Sequence, residues 1–225
     1  MFKNASTCFT LLLITWICVP VILARVDFEE SESSSSKQKM AAGAALGNIR
    51  NTANYVIKEG GRRSNIISVY DKNSISSLGN PRWFSRVDMP HRKVPTHHIN
   101  VNPRITGVPD PHIPISAGTA RVAGVTGKVL NYASQLAPYA MVASVGMDAY
   151  EVLNDLGSGK VQEAKKKVVT KVSTYAGAFY GASQGAAYGT AIFPGVGTLV
   201  GGIIGSMFGG YVAGSGGDVV GEMVF

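Results

Sequence analysis

The histidines are the residues best suited by type to bind a metal or to respond to pH. All four lie within residues 81–114, together with seven of the ten prolines: His91, His97, His98 and His112. Neutral imidazole binds zinc, and because it becomes charged near pH 6.5, acid sensing ahead of a membrane segment is a second hypothesis. The histidine spacing matches no known zinc motif, and no cysteine lies nearby. We therefore interpret residues 81–119 as a polar extended linker, with no metal site predicted.

The sequence lacks the common catalytic patterns. It has no nucleophile elbow, no HExxH motif and no cysteine nucleophile, so we expect neither an enzyme nor a cofactor. The run Gly195-x-Gly197-x3-Gly201 is similar to a dinucleotide-binding loop. That fingerprint needs a preceding strand and a βαβ unit of about thirty residues, and the residues that follow are too few to supply one.

One stretch, residues 172–217, organises the rest of the chain. Its 46 residues include no charged side chain and no histidine, and 14 of them are glycine. Most of these glycines recur at four-residue intervals, which places them on one face of a helix. The pattern predicts an antiparallel glycine-zipper hairpin that turns at Phe193, Pro194 and Gly195. The expected helix-packing glycines are Gly177, Gly181, Gly185, Gly189, Gly197, Gly201, Gly205 and Gly209.

The hairpin has two candidate environments. Glycine costs roughly 1 kcal/mol per residue in a helix interior, so this stretch would not be helical alone in water. Its arms, residues 172–193 and 195–217, are about 33 Å long at 1.5 Å per residue, close to the ~30 Å hydrocarbon core of a bilayer. A membrane is the favoured environment, and the buried centre of a soluble bundle is the alternative.

Charged residues flank the hairpin. Five lysines precede it and are expected to contact anionic lipid headgroups: Lys160, Lys165, Lys166, Lys167 and Lys171. If the arms fold back on each other, Lys171 pairs with Asp218, with Glu222 nearby. The net charge of +7 also favours an anionic membrane as partner. Nucleic acid is not expected, because no binding motif is present.

The first 80 residues divide into short segments. Residues 1–24 are typical of a signal peptide, and residues 25–39 predict an acidic, serine-rich disordered leader. Residues 40–80 suggest a short helix over 40–59 and a strand over 66–70. Between them, Arg62-Arg63 is a candidate processing site. The expected fold is therefore mainly α, with an N-terminal third that is largely irregular and a helical domain over residues 120–225.

The C-terminal half resembles the glycine-zipper membrane segments of bacterial toxins and outer-envelope proteins. The resemblance rests on the spaced glycines named above and on residues 193–205, FPGVGTLVGGIIG. It implies tight helix pairs that insert into membranes or form homo-oligomers. We expect a secreted, membrane-associating protein, pore-forming, toxin-like or active in host defence. The alternatives are a soluble structural protein with the zipper as its core, and a precursor cut at Arg62-Arg63.

Overall fold

The computed structural model describes residues 30–61 and 64–225. The elements follow in the order α1 (Glu30–Asn54), β1 (Tyr55–Glu59), β2 (Asn65–Ile75), β3 (Pro81–Asp88), β4 (His97–Val101), α2 (Pro103–Thr106), β5 (Ile113–Ile115), α3 (Ala117–Gly157), α4 (Val161–Ile192) and α5 (Val196–Val224). The chain is thus mainly helical, with a small antiparallel sheet in its N-terminal half. The signal-peptide prediction for residues 1–24 and the processing prediction for Arg62-Arg63 lie outside the described residues.

The five strands form one antiparallel sheet in the order β1-β2-β3-β4-β5. The prediction of an extended linker over residues 81–119 is therefore wrong, because this region supplies three of the strands. Its prolines are compatible with a sheet because of their positions. Pro81 opens β3, Pro114 lies in the edge strand β5, and the other five fall between strands. At such places a missing amide hydrogen breaks no central ladder.

The N-terminal segment also differs from the prediction. Helix α1 begins at Glu30, so residues 30–39 are helical and not a disordered leader. They are held by tertiary contacts: Gln38 Nε2 donates to Glu151 Oε1 of α3 at 3.0 Å, and Lys39 forms an ion pair with Asp218 of α5. The helix ends at Asn54, earlier than predicted, because Tyr55–Glu59 pairs with β2.

The four long helices form an antiparallel bundle. Contacts between α1 and α3 join Gln38 to Asp148 and Thr52 to Ser134, so the two helices run in opposite directions. Helix α5 is likewise antiparallel to both α1 and α4. Helix α3 is continuous through Pro138. One end of the bundle lies against the sheet, and the other holds the α3–α4 connection.

A single hydrophobic core joins the sheet to the bundle. One face of the sheet contributes Ile67, Val69, Phe84, Val87 and Ile99. Helix α3 contributes Ala120, Ala123 and Leu130, and the α4–α5 connection with the start of α5 contributes Phe193, Val196 and Leu199. The large buried side chains therefore lie where the helix turn meets the sheet, while the buried apolar residues along the bundle are alanines.

Candidate functional site

Helices α4 and α5 pack backbone to backbone through their glycines. Opposing pairs are Gly189 with Gly197, Gly185 with Gly201, Gly181 with Gly205 and Gly177 with Gly209. A Cβ atom added at Gly185 would lie 2.9 Å from the carbonyl carbon of Gly201, a distance that side chains essentially never adopt. All eight glycines expected to pack helices thus lie at this interface.

Helix α1 covers a second side of α5, which the sequence analysis did not anticipate. Added Cβ atoms at Gly43 and Gly47 would lie 2.9 Å from the Cα atoms of Met207 and Ile203. The buried Ser206 Oγ donates to the Gly43 carbonyl at 2.5 Å, and Asn51 Nδ2 donates to the Leu199 carbonyl at 2.8 Å. The Gly43-x3-Gly47 spacing was the available signal, because it is the same small-residue step found in α4 and α5.

The turn between α4 and α5 is inserted into the sheet. Phe193 is only 1% exposed, and Ser85 Oγ of β3 donates to the Pro194 carbonyl at 2.7 Å. Gly195 has a φ of +88°, which favours glycine, and Thr198 Oγ1 accepts from its amide at 3.1 Å. The three predicted turn residues therefore do form the connection, and the sheet covers it.

The opposite end of the bundle carries an ionic cluster, where the predicted Lys171–Asp218 pair does not form. Lys171 Nζ lies 2.5 Å from Asp148 Oδ1 and 3.0 Å from Glu151 Oε2 of α3. Asp218 instead pairs with Lys39 and accepts from Thr170 Oγ1 at 2.6 Å. The reason is helical phase: Thr170 faces α5, and the next residue is rotated by about 100° towards α3. We call the set Lys39, Asp148, Glu151, Lys171 and Asp218 the ionic end.

Both partners of the predicted pair, and Glu222, still line the same cleft of about 360 Å³. Within it, burial raises the pKa of Glu151, but hydrogen bonds from Lys171 and Gln38 and the nearby lysine charges outweigh burial and lower it. Burial lowers the pKa of Lys171, but its hydrogen bonds to Asp148 and Glu151 and their charges raise it overall. The two shifts indicate that both groups are charged in the folded state.

The five lysines before the zipper do not form one lipid-facing patch. Lys166 pairs with Glu163 at 3.3 Å and Lys167 with Asp155 at 2.6 Å, while Lys171 belongs to the ionic end. Lys165 Nζ lies 5.3 Å from the centre of the Phe225 ring, and Lys160 is exposed at the start of α4. The structure thus differs from the headgroup prediction for Lys166, Lys167 and Lys171, whose charges are balanced by carboxylates.

Between the ionic end and the sheet, the four long helices carry almost no charged residues; the exception is Arg50 of α1, whose Nη1 lies beside Gly202 of α5. We call this region the belt; it comprises residues 40–49 of α1, 129–147 of α3, 172–192 of α4 and 196–217 of α5. Charges resume at its sheet end, where Lys128 Nζ lies 3.5 Å from Glu59 Oε2. Large apolar side chains project outward from the belt, among them Val129, Leu136, Val142, Phe179, Tyr188 and Val212. Among the described helices, only α5 is both long and apolar enough to cross a bilayer by itself.

The four histidines lie on the sheet and its loops, far along the chain from the belt segments of α4 and α5. His97 and His98 belong to β4, His91 lies in the turn after β3, and His112 precedes β5 with a φ of +44°. The rings of His91 and His98 have centroids 5.0 Å apart. The fold therefore brings His91 and His98 into contact, although their spacing in the sequence predicted no common site.

Comparisons with known proteins agree with this division of the chain. Residues 38–133 match the C13G5.2-like N-terminal domain and residues 157–216 match the C13G5.2-like glycine zipper domain. The uncharacterized protein C13G5.2 of Caenorhabditis elegans is 42% identical over 142 residues, which cover 61% of this chain and 40% of that relative. No solved structure matches. Within the C-terminal half, residues 157–216 thus match a glycine zipper domain family.

Proposed function

We propose that the protein associates with lipid membranes through its belt. The observation that carries the proposal is the alignment of four helix segments without charged residues between two charged layers, with Arg50 of α1 as the one charged side chain of these helices at their level. The α3 segment has 19 residues, or about 28 Å at 1.5 Å per residue, which is close to the ~30 Å hydrocarbon thickness of a bilayer.

The surface of the belt supports a lipid environment. Leu136 is 64% exposed and Val142 is 74% exposed, on a helix whose outward side has no protein covering it within residues 30–61 and 64–225. Soluble monomers rarely expose apolar patches larger than a few hundred Å². Lipid chains would cover these side chains without requiring any change in the bundle.

The interior of the belt supports the same proposal. Its helices approach through glycine, and the buried Ser206 bonds to the backbone carbonyl of Gly43 on the neighbouring helix. Just beyond the belt segment of α1, Asn51 bonds to the Leu199 carbonyl in the same way. Small residues at interfaces and polar groups that bond between helices are typical of helix packing in membranes. The sheet would then lie outside the bilayer, at the end of the bundle that it covers.

A soluble structural protein is the second candidate. It is favoured by the docking of the α4–α5 turn into the sheet, with Phe193 and Leu199 each 1% exposed. In that case the glycine-packed helices are the centre of a closed bundle, and the outward face of α3 is a contact surface for other proteins.

Flotation with liposomes separates the two candidates. The full-length protein is mixed with anionic and with neutral vesicles and floated through a density gradient, with a high-salt wash. Under the membrane proposal, salt-resistant protein floats with the vesicles. A monodisperse protein that stays at the bottom with both vesicle types would support the soluble candidate.

A matched pair of variants locates the contact. The double variant Leu136→Lys/Val142→Lys places two charges on the outward face at mid-belt, where each Lys costs about 2.5–3.5 kcal/mol in the bilayer centre. We expect it to lose flotation while remaining folded, because both sites are exposed. Val125→Lys is the control, since Val125 is an exposed apolar residue of α3 (58%) that lies outside the belt. Equal flotation of both variants would show that α3 does not contact the membrane.

A further inference from the structure

The sheet face that points away from the helices carries a buried polar cluster. Asp88 of β3 and His98 of β4 are direct cross-strand partners, and they are 3% and 0% exposed. They point away from the helices because side chains alternate along a strand, and their neighbours Val87 and Ile99 belong to the helix-facing core. His91 lies in the turn after β3, which is closed by a bridge between His91 and Val94.

Two candidate ligand atoms of this cluster, one on His98 and one on Asp88, lack a hydrogen-bond partner among the described residues. His98 Nδ1 donates to the Thr96 carbonyl at 2.8 Å, which leaves a lone pair on Nε2. Neither His98 Nε2 nor Asp88 Oδ1 has a hydrogen-bond partner among the described residues, although both atoms are buried. Asn65 Oδ1 and the donor Arg86 Nε, close to Asp88, are also buried without a partner among the described residues. Buried polar atoms are almost always satisfied, and His98 Nε2 and Asp88 Oδ1 are both acceptors. A bound cation would satisfy them together.

The surrounding side chains hold these acceptors in place. Asn100 Nδ2 donates to the other carboxylate oxygen of Asp88 at 2.8 Å, and Asn100 Oδ1 faces His112 Nδ1 at 2.6 Å. The Arg86 guanidinium lies 3.9 Å from the same Asp88 oxygen, so Oδ1 is the free one. Metal-binding histidines usually donate their second ring nitrogen to a carbonyl, and metal-binding carboxylates are usually hydrogen-bonded in turn. Thr96 and Asn100 fill these two roles.

We propose that Asp88, His91 and His98 bind one zinc ion. Their ligand atoms all lie within 4.8 Å of one another. Tetrahedral zinc with bonds of about 2.0–2.1 Å places its ligand atoms about 3.3 Å apart, so binding shortens the distances between these atoms by at most about 1.5 Å. His91, in a turn and only partly buried, can supply that movement. Two imidazoles and one carboxylate leave the fourth position to water or to an external ligand, as in zinc sites with three protein ligands.

The site is independent of the belt. It lies on the far face of the sheet and uses no residue of α3, α4 or α5. Zinc binding can therefore succeed or fail whether or not the protein binds membranes. The ion would fasten the turn over residues 89–96 to the sheet, because it links His91 in that turn to strands β3 and β4.

The test uses full-length protein that has been treated with a chelator and purified in mild detergent. Zinc affinity is measured by competition with a chromophoric chelator, and Co(II) is added as a spectroscopic probe of coordination. We expect one zinc per chain and the visible bands of four-coordinate Co(II). His91→Ala should weaken zinc binding at least tenfold, and Asn100→Ala by about 10–100-fold, the usual range for a residue that orients a ligand.

The matched control is His97→Ala, because His97 precedes His98 on the same strand but points to the opposite face. It should leave zinc affinity unchanged. His91→Ala is the decisive variant, since a turn residue can be replaced with the fold retained, as circular dichroism would verify. Zinc affinity that is unchanged in His91→Ala, equally reduced in His97→Ala, or absent from the wild-type protein would each overturn the proposal.

Discussion

Ser85 of β3 donates a 2.7 Å hydrogen bond to the carbonyl of Pro194, in the turn between α4 and α5. This bond joins the region that matches the N-terminal domain family to the region that matches the glycine zipper family. It also fixes the orientation of the zipper, because the turn is the end held by the sheet. A bilayer-inserted zipper that led with this turn would first have to break the bond and expose Phe193.

Replacing Ser85 with Ala tests how firmly the turn is held. Loss of the hydrogen bond leaves a carbonyl unsatisfied, which costs about 1 kcal/mol or more. We expect the amides of Gly197 and Leu199, which close the first turn of α5 onto Phe193 and Gly195, to exchange roughly fivefold faster. Ser183→Ala is the control, because its hydroxyl donates only within α4, to Phe179. Equal exchange in both variants would show that the bond does not hold the turn.

Two glycine substitutions should have opposite effects on stability. Gly185→Ala inserts a methyl group against the backbone of Gly201, and overpacking of this kind costs about 1–3 kcal/mol. Gly216→Ala meets nothing within 4 Å and should gain up to about 1 kcal/mol from helix propensity. Thermal unfolding followed by circular dichroism measures both. Similar shifts in the same direction would contradict backbone-to-backbone packing.

The ion pairs at the ionic end can be distinguished by double-mutant cycles. Lys171→Met combined with Asp148→Asn should show a coupling of about 1.5–3 kcal/mol, the range for hydrogen bonds to charged groups. Lys171→Met combined with Asp218→Asn should show little coupling, because Asp218 pairs with Lys39. The free energy of unfolding of each single and double variant supplies the values. A reversed order would restore the pairing expected from the sequence.

The stability of the ionic end should depend on pH at both extremes. The pKa of Glu151 is lowered from 4.5, so its contribution is present above pH 4.5 and is lost as pH falls through the lower folded value. The pKa of Lys171 is raised from 10.5, so its contribution is present below pH 10.5 and is lost as pH rises through the higher folded value. We expect a plateau in the free energy of unfolding between these limits. The variant Lys171→Met should weaken the pH dependence of the free energy of unfolding at both the acidic and the alkaline end. A pH dependence that matches wild type would contradict the interaction between Lys171 and Glu151.

The helical half of the fold was readable from the sequence because its signal is local. Four-residue glycine spacing fixes which face of α4 meets which face of α5, and the Pro194-Gly195 pair marks the turn. The contacts that α4 and α5 make with the other helices could not be predicted from such local patterns. Which residue Lys171 pairs with depends on the position of α3, and the packing of Gly43 against α5 joins residues more than 160 positions apart.

The sheet was missed for a different physical reason. Proline density argued for extended structure, which is correct for the three strand segments but not for the short helix α2, and it carries no information on whether such segments pair. The cluster of Asp88, His91 and His98 was not predicted, because the spacing of histidines and cysteines along the chain does not point to Asp88. Asp88, the cross-strand partner of His98, becomes relevant only once the β3–β4 register is known. The expectation of a signal peptide and delivery through the secretory pathway stays a prediction.

The glycines of α5 leave it little capacity for self-association. Helix α4 occupies its Gly197–Gly209 side, and α1 occupies the side around Gly202 and Ser206, so two intramolecular neighbours already use the surfaces at which another copy could approach closely. A homo-oligomer built through this helix would have to expel one of them first. Copies that retain the fold would therefore meet through peripheral side chains, such as the exposed apolar residues of α3, α4 and α5, and not through the glycine faces of α5.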